Sequence, residues 1–260
     1  MMLRMLVGFV LAAAIAALAH RLRSLTIGGA VAATFVGGAA VAAGWGWGAL
    51  LVVYFLASTL LSRTSRAEKE ARTASIVEKG GERDAVQVLA NGALFAGAAL
   101  AMHWMPNTRW LALGAGSLAA STADTWATEI GTMVGGAPRS ILTGRRVAPG
   151  MSGGITMAGT FASLSGAAFL ALAALACGWP VAAARVVVIG GIAGSFIDSI
   201  LGAACQSRRW CAACATETER AVHSCGTATA AHRGLPWIDN DAVNFLSNAC
   251  GGLLATLLLR

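Results

Sequence analysis

Charged residues are scarce in this chain of 260 residues, since Asp, Glu, Lys and Arg together make up only 12% of it. Soluble domains carry roughly 25% charged residues. Hydrophobic residues reach 57%, and the mean hydropathy is +0.68. This composition excludes an ordinary soluble enzyme and predicts a multi-pass integral membrane protein.

Familiar nucleotide-binding signatures are also missing. The glycines of residues 190–202 form neither a Walker loop nor a dinucleotide fingerprint, because both motifs require a preceding strand. Secondary transporters commonly contain internal repeats. We find no convincing internal repeat in this chain. The chemistry of this chain must therefore be inferred from its few polar residues.

Eight hydrophobic segments approach the length of about 20 residues that a helix needs to cross a bilayer. We predict an all-α bundle of seven or eight transmembrane helices, with residues 1–260 forming a single transmembrane domain. The segments are residues 3–19, 25–44, 46–62, 86–104, 110–134, 152–177, 182–205 and 239–259. The connections between these segments are too short for a soluble domain. We predict that those at 63–85, 135–151 and 206–238 are cytoplasmic loops.

Basic residues concentrate in alternate connections. Those at 20–24, 63–85, 135–151 and 206–238 hold 15 of the 19 Lys and Arg residues. The positive-inside rule places these connections in the cytoplasm and both termini outside, most simply in a bacterial inner membrane. The net charge of +7 therefore reflects orientation, and we expect no nucleic-acid partner. The oligomeric state is not predicted.

Residues 121–131, with the sequence STADTWATEIG, place carboxylates inside a predicted span. Ionisable groups are costly in hydrocarbon and mark a functional site by default. Asp124, Thr128 and Glu129 share one broad helical face, because positions three and four apart lie one above the other. Hydrogen bonding between helices would explain the hydroxyls but not two carboxylates. We predict functional roles for Asp124 and Glu129.

A further acid lies in the seventh span. Asp198 follows Ser195 in the segment GSFIDSILG, residues 194–202, whose small residues let another backbone or a ligand approach closely. Small residues alone commonly serve helix packing. The carboxylate of Asp198 favours a site.

The fourth and eighth spans begin with further polar groups. In the fourth span such residues recur every four positions, at Arg83, Gln87 and Asn91. The eighth opens with three polar residues and continues with another on the same face, namely Asp239, Asn240, Asp241 and Asn244. Asp239 has a simpler alternative as a helix cap. We expect these groups to reach the same depth as Asp124.

The connection at 135–151 completes the set with Arg139, and Gly153 and Gly154 follow at the predicted start of the sixth span. A glycine-rich helix N-terminus binds anionic oxygen readily. Five polar clusters thus meet near the cytoplasmic surface. Carboxylates beside arginine and free backbone amides suit magnesium with phosphate.

A possible metal site of another kind occurs in the connection at 206–238. Three cysteines and a histidine are spaced there as Cys211, Cys214, His223 and Cys225. Cytoplasmic thiols stay reduced, so disulfides are not expected. These residues suit a structural Zn²⁺ ion, with unpaired thiols as the alternative.

Several motifs together resemble a known family. They are RDAVQVLANG at 83–92, STADTWATEIG at 121–131, MSGGIT at 151–156 and GSFIDSILGAACQ at 194–206, with CAAC, HSCG and IDNDAVN between 211 and 244. The chain resembles an integral membrane family of unknown function that includes transmembrane protein 19 and the plant phytyl-phosphate kinase. The resemblance implies a membrane-embedded kinase that converts an isoprenyl monophosphate to its diphosphate with a nucleoside triphosphate such as CTP.

On this interpretation, Asp124, Glu129 and Asp198 hold Mg²⁺ against the triphosphate, while Asp239 or Asp241 holds a second ion or the acceptor phosphate. The residues expected to bind or orient phosphate and substrate are Arg83, Gln87, Asn91, Thr128, Arg139, Gly153, Gly154, Ser195, Asn240 and Asn244. The lipid tail would lie between spans. The alternatives are an ion-coupled transporter that uses the intramembrane carboxylates and a structural factor with a zinc loop.

Overall fold

The computed structural model describes residues 2–64, 66–78 and 80–259, without the side chains of residues 66–68. Lys79, one of the loop charges counted above, lies outside this part. The helices of the described chain are α1 (Met2–Arg21), α2 (Ile27–Ala43), α3 (Trp45–Thr64), α4 (Arg66–Thr73), α5 (Ala85–Trp104), α6 (Thr108–Val134), α7 (Met157–Ala176), α8 (Val181–Ala204) and α9 (Asn240–Leu258).

Eight of these helices correspond to the eight predicted segments, and the short α4 is additional. Five of them, α1, α3, α5, α7 and α8, are long and apolar enough to cross a membrane, and α2 is a shorter apolar helix. The predicted fold class, a helical multi-pass membrane bundle, is confirmed. The helices α6 and α9 are also long, but they carry the polar residues described below.

Helix α6 lies at the centre of the bundle, packed against α5, α7, α8 and α9. Nearly every residue from Leu111 to Ala123 is buried. Small residues make this packing possible: a Cβ on Gly191 would lie 2.8 Å from the Cβ of Ala119, and one on Gly116 would lie 2.7 Å from that of Ala255. These close approaches fix α6, α8 and α9 relative to one another. The polar residues of the three helices are thereby fixed as well.

An aromatic cluster lies where the N-terminal end of α3 meets the connection between α7 and α8. The ring of Trp47 lies 5.1 Å from that of Phe95 and 4.9 Å from that of Trp179. Trp47 and Trp179 are 3% and 8% exposed. Their rings therefore belong to the protein core, where they contribute large apolar areas to packing between α3, α5 and the connection before α8.

Two predicted loops contain short strands. Strands β1 (Arg139–Ser140) and β2 (Gly154–Ile155) form a hairpin, while β3 (Arg208–Cys211), β4 (Thr216–Thr218) and β5 (Ala230–Arg233) form a sheet of order β4-β3-β5. All pairs are antiparallel. The sequence did not reveal these strands, because strands of two to four residues are too short for their alternation to be recognised.

Helix α7 begins later than predicted. It starts at Met157, and the side chain of Thr156 accepts a hydrogen bond from the Gly159 amide. The prediction of a start at residue 152 was wrong because the apolar character of the segment hid the capping threonine. Gly153 and Gly154 consequently precede the helix and belong to the β1–β2 hairpin.

Candidate functional site

A large polar cavity opens where the C-terminal ends of α3, α6 and α8 meet the N-terminal ends of α5, α7 and α9. Its volume is about 1110 Å³. It is lined by every carboxylate singled out above, namely Asp124, Glu129, Asp198, Asp239 and Asp241. The cavity thus brings together acids that are more than 110 positions apart in the chain.

Asp124 interacts with two of the other acids. It is within electrostatic range of Asp198, Glu129 and Lys69, although Asp198 belongs to a different helix. The hydroxyl of Thr128, one turn further along α6, also lines the cavity. Among the groups that act on Asp124, two are carboxylates and one is a lysine, and this local surplus of negative charge favours a bound cation.

Glu129 is held by residues that sequence reasoning did not assign to the site. Its Oε1 accepts hydrogen bonds from Lys69 Nζ at 2.8 Å and from Ser62 Oγ at 3.0 Å. The Glu129 side chain is only 5% exposed and that of Lys69 is 29% exposed. Lys69 belongs to α4, so its position depends on how that helix folds over the end of the bundle.

Asp198 is oriented by α9. The Ser247 hydroxyl lies 2.9 Å from Asp198 Oδ2 and 3.0 Å from the Asn244 carbonyl oxygen. Ser195, one turn before Asp198, is buried and lines the cavity, as does Asn244. The only sequence signal for Ser247 was its spacing of three residues from Asn244, which placed both on one face.

The acids at the start of α9 have different environments. Asp239 is exposed, and its Oδ1 accepts a hydrogen bond from the Ala242 amide at 2.9 Å. The capping alternative therefore holds for Asp239. Asp241 is only 3% exposed, whereas Asn240 is exposed at the cavity mouth. Asp241 is thus the better placed of the two acids to face a buried cation.

A buried hydrogen-bond network connects four helices beside the carboxylates. Ser121 Oγ donates to Asn91 Oδ1 at 2.7 Å and lies 2.8 Å from the Tyr54 hydroxyl. Asn248 Nδ2 donates to the same Asn91 oxygen at 3.2 Å. These side chains belong to α3, α5, α6 and α9. Asn91, predicted to orient phosphate, therefore has a structural role in addition to lining the cavity.

We expect Asn91→Ala to destabilise the protein, because it leaves two buried polar groups without their shared acceptor. The expected cost is about 1–3 kcal/mol, measured as a lower thermal unfolding temperature in detergent. Ser165→Ala is the control, since Ser165 is exposed and its hydroxyl donates to Phe161 O of the same helix. Equal unfolding temperatures for the two variants would contradict a stabilising network.

The first turn of α5 also serves the fold. Asp84 caps the helix, with its Oδ1 2.9 Å from the Gln87 amide, while Gln87 Oε1 accepts from the Asp84 amide at 3.0 Å. Gln87 therefore forms a capping box, which its spacing from Asp84 signals in the sequence. Arg83 precedes the cap, and its side chain lines the cavity. Backbone bonds with Ser24 and Thr26 fix its position.

Arg139 does not line the cavity. It is exposed, and its Nη1 donates to the carbonyl oxygen of Gly144 at 2.8 Å. The structure therefore does not place Arg139 beside the other predicted residues, because the β1–β2 hairpin directs it toward its own loop. Basic residues from other segments line the cavity instead, namely Arg63, Lys69, Arg72, Arg209 and Arg220.

Gly153 and Gly154 line the cavity without forming a helix N-terminus. Gly153 has φ +79°, and a Cβ there would lie 2.6 Å from the Ser199 carbonyl oxygen of α8. The Gly154 amide donates to Met151 O at 3.0 Å. The prediction of a glycine-rich helix start was therefore wrong, and Gly153 is instead required by close packing of the hairpin on α8.

The three-stranded sheet supplies one wall of the cavity. Thr218 Oγ1 donates to Ser75 O at 2.8 Å, and the Glu219 amide donates to Ile76 O at 2.9 Å. The Ser152 hydroxyl donates to the Glu219 carboxylate. Burial raises the pKa of Glu219. Sequence reasoning gave Glu219 no role, since it looked like an ordinary loop charge.

The four metal-ligand candidates converge at the sheet. We call Cys211, Cys214, His223 and Cys225 the cysteine cluster; their ligand atoms all lie within 4.8 Å of one another. None of them lines the cavity. Hydrogen bonds with Thr227 and His223 lower the pKa of Cys225 to about 5. Cysteine spacing in the sequence therefore indicated a set of residues that the fold does bring together.

Comparisons with known proteins agree with this architecture. The family model described as integral membrane protein DUF92 matches residues 10–252. Protein PGR of Arabidopsis thaliana is 30% identical, over 94% of this chain and 92% of that protein. No solved structure matches.

Two relatives are described as uncharacterised membrane proteins. One, from Synechocystis, is 30% identical over 84% of this chain and 76% of its own length. The other, from Methanocaldococcus jannaschii, is 28% identical over 80% of this chain and 74% of its own length. The match to the family model covers most of the chain and includes every residue that lines the cavity. The chain belongs to the integral membrane protein family DUF92.

Proposed function

We propose that this protein is an isoprenyl phosphate kinase of the membrane, which transfers a phosphoryl group from a nucleoside triphosphate to an isoprenyl monophosphate. One observation carries the proposal: a single cavity contains both a group of carboxylates and a set of lysine and arginine side chains. Carboxylates bind Mg²⁺, and basic side chains bind phosphate oxygens. Phosphoryl transfer requires both kinds of group around one centre.

The size and position of the cavity support two phosphate-bearing substrates. Its volume of about 1110 Å³ exceeds that of most small-molecule pockets, which measure roughly 300–1000 Å³. The carboxylates lie in the C-terminal halves of α6 and α8 and at the start of α9. A lipid head group can reach this end of the bundle while its tail stays among the helices, where apolar surface is abundant.

The donor atoms present fit magnesium. The carboxylates of Asp124, Glu129, Asp198 and Asp241 are hard oxygen ligands, which Mg²⁺ prefers together with phosphate oxygens and water. When bound, the ion would neutralise charge on the β- and γ-phosphates. Lys69 and Ser62 keep the Glu129 carboxylate in place, and Ser247 does the same for Asp198.

The chemistry then needs positioning more than proton transfer. An oxygen of the acceptor monophosphate attacks the γ-phosphorus, a new P–O bond forms, and the bond to the β-phosphate oxygen breaks to release the nucleoside diphosphate. The monophosphate is already a competent nucleophile, so no strong base is required. Arg83 lines the cavity and would bind phosphate oxygens. Arg209 and Arg220 also line it, but their guanidinium groups donate to Thr229 and to the carbonyl oxygens of residues 74, 77 and 222.

We also propose that the cavity faces the cytoplasm of a bacterial inner membrane. Three of the four connections rich in Lys and Arg contribute basic residues to it, namely Arg23, Arg63, Lys69, Arg72, Arg83, Arg209 and Arg220. The positive-inside rule supports a cytoplasmic position for these connections. Cytoplasmic nucleotides would then have direct access to the cavity.

The direct test uses purified protein in detergent with Mg²⁺, each labelled nucleoside triphosphate and a panel of isoprenyl monophosphates. We expect labelled isoprenyl diphosphate with at least one pair of substrates. No transfer across the whole panel would overturn the kinase proposal. Ion-driven solute uptake by the protein in vesicles, without nucleotide consumption, would then support the transporter alternative.

A further inference from the structure

The cysteine cluster has the geometry of a tetrahedral metal site. The Sγ atoms of Cys211 and Cys225 lie 3.7 Å apart, and His223 Nδ1 lies 3.1 Å from Cys225 Sγ. Sulfur ligands about 2.3 Å from a tetrahedral Zn²⁺ ion lie about 3.8 Å from each other. Three sulfurs and one nitrogen within 4.8 Å of one another match the preferred zinc ligands.

The surroundings of the cluster point to a structural ion. Cys211 is fully buried and His223 is only 6% exposed. In the described part of the chain, His223 Nδ1 makes its hydrogen bonds with Cys225. The other ring nitrogen, Nε2, has no hydrogen-bond partner there. Four protein ligands would leave no open coordination position, which is typical of structural rather than catalytic zinc.

The sheet that carries the cluster needs such support. Its strands have only three or four residues, and all of β5 is exposed. Small sheets without an apolar core are marginal in water and commonly depend on a metal or on disulfides. Thus the hydrophobic effect alone does not explain why this part of the chain is ordered.

The ligands come from two separate parts of the sheet region. Cys211 ends β3 and Cys214 lies in the turn that follows it. His223 and Cys225 lie in the turn closed by the Val222–Ala228 bridge. Glu219, Arg220 and Ala221, which lie between these two pairs and line the cavity, are therefore bounded on both sides by ligands.

We infer that the cysteine cluster binds one Zn²⁺ ion, which fixes the cavity wall formed by residues 219–221. Binding joins the turn after β3 to the turn before β5 and thereby restricts the segment between them. The inference is independent of the reaction, because the metal site would hold the same wall in a kinase or in a transporter.

The test is elemental analysis of untagged protein purified without chelators. We expect about one zinc ion per chain, lost in Cys211→Ser and in Cys214→Ser. Cys205→Ser is the matched control, because Cys205 is outside the cluster although it lies close to β3 in sequence. Wild-type protein without zinc, or Cys214→Ser with a full complement, would overturn the inference.

A second measurement does not depend on how well the variants fold. Wild-type protein is stripped with a chelator and titrated with Co²⁺, which gives visible absorption bands typical of tetrahedral thiolate coordination when it occupies such a site. The rate of trypsin cleavage then measures how ordered residues 219–221 are, since Arg220 and Arg233 lie on either side of His223 and Cys225 in the sequence. We expect stripped protein to be cleaved at least about tenfold faster there, and readdition of Zn²⁺ to restore protection. Absence of the cobalt bands, or cleavage rates independent of zinc, would contradict the site.

Discussion

Replacement of Asp124 by asparagine should lower phosphoryl transfer by about 100-fold to 1000-fold, the loss typical for removal of one electrostatic contribution to a transition state. Asparagine keeps the size and the hydrogen-bonding oxygen of the side chain but removes its charge. Asp124 lies within electrostatic range of Asp198 and Glu129 and lines the cavity. The variant should therefore fold normally and bind Mg²⁺ more weakly.

The measurement is the initial rate of transfer at several Mg²⁺ concentrations, after a thermal unfolding scan has shown that the variant is folded. Glu82→Gln is the matched control, because Glu82 is exposed and does not line the cavity. If Asp124→Asn retains the wild-type rate, Asp124 has no part in the reaction. Partial rescue by high Mg²⁺ would support a role in metal binding.

Replacement of Gly194 by alanine should destabilise the bundle strongly. A Cβ at this position would overlap the Cβ of Ala120 and lie 3.1 Å from the Ser247 carbonyl oxygen. Helices α6, α8 and α9 would have to move apart, and overpacking of this kind costs about 1–3 kcal/mol. The same movement would displace Asp198, which lies one turn further along α8 and is held by Ser247.

Gly97→Ala provides the comparison, since no atom lies within 4 Å of a Cβ at that position in α5. Alanine in an open helical position stabilises a helix by up to about 1 kcal/mol. We therefore expect Gly194→Ala to lower the unfolding temperature and Gly97→Ala to leave it unchanged or raise it. Equal effects of the two substitutions would contradict close packing at Gly194.

Helix positions were largely predictable because a membrane span is a local property of the chain. A helix of about 20 apolar residues makes its backbone hydrogen bonds internally and presents apolar side chains to the lipid, wherever it occurs in the chain. Spacing by three and four residues also predicted that Asp124, Thr128 and Glu129 share a face. The start of α7 was the exception, since Thr156 ended an apolar stretch that looked continuous.

The partners of these residues were not predictable. Lys69 reaches Glu129 only because α4 folds across the end of α6, and Ser247 reaches Asp198 only because α8 and α9 pack closely at glycines. Arg139 shows the reverse case, because a hairpin of two-residue strands keeps it away from the cavity. Such contacts depend on packing between segments that are far apart in the chain.

By itself the sequence determined that this protein is a multi-pass membrane bundle with acids in its spans, since length, apolarity and helical spacing are local quantities. Only the tertiary structure decided that the acids and the basic side chains line one cavity, and that Glu219 and Arg220 form its wall. The physical reason is that close approach of α6, α8 and α9 depends on small residues meeting in three dimensions, which no local pattern specifies.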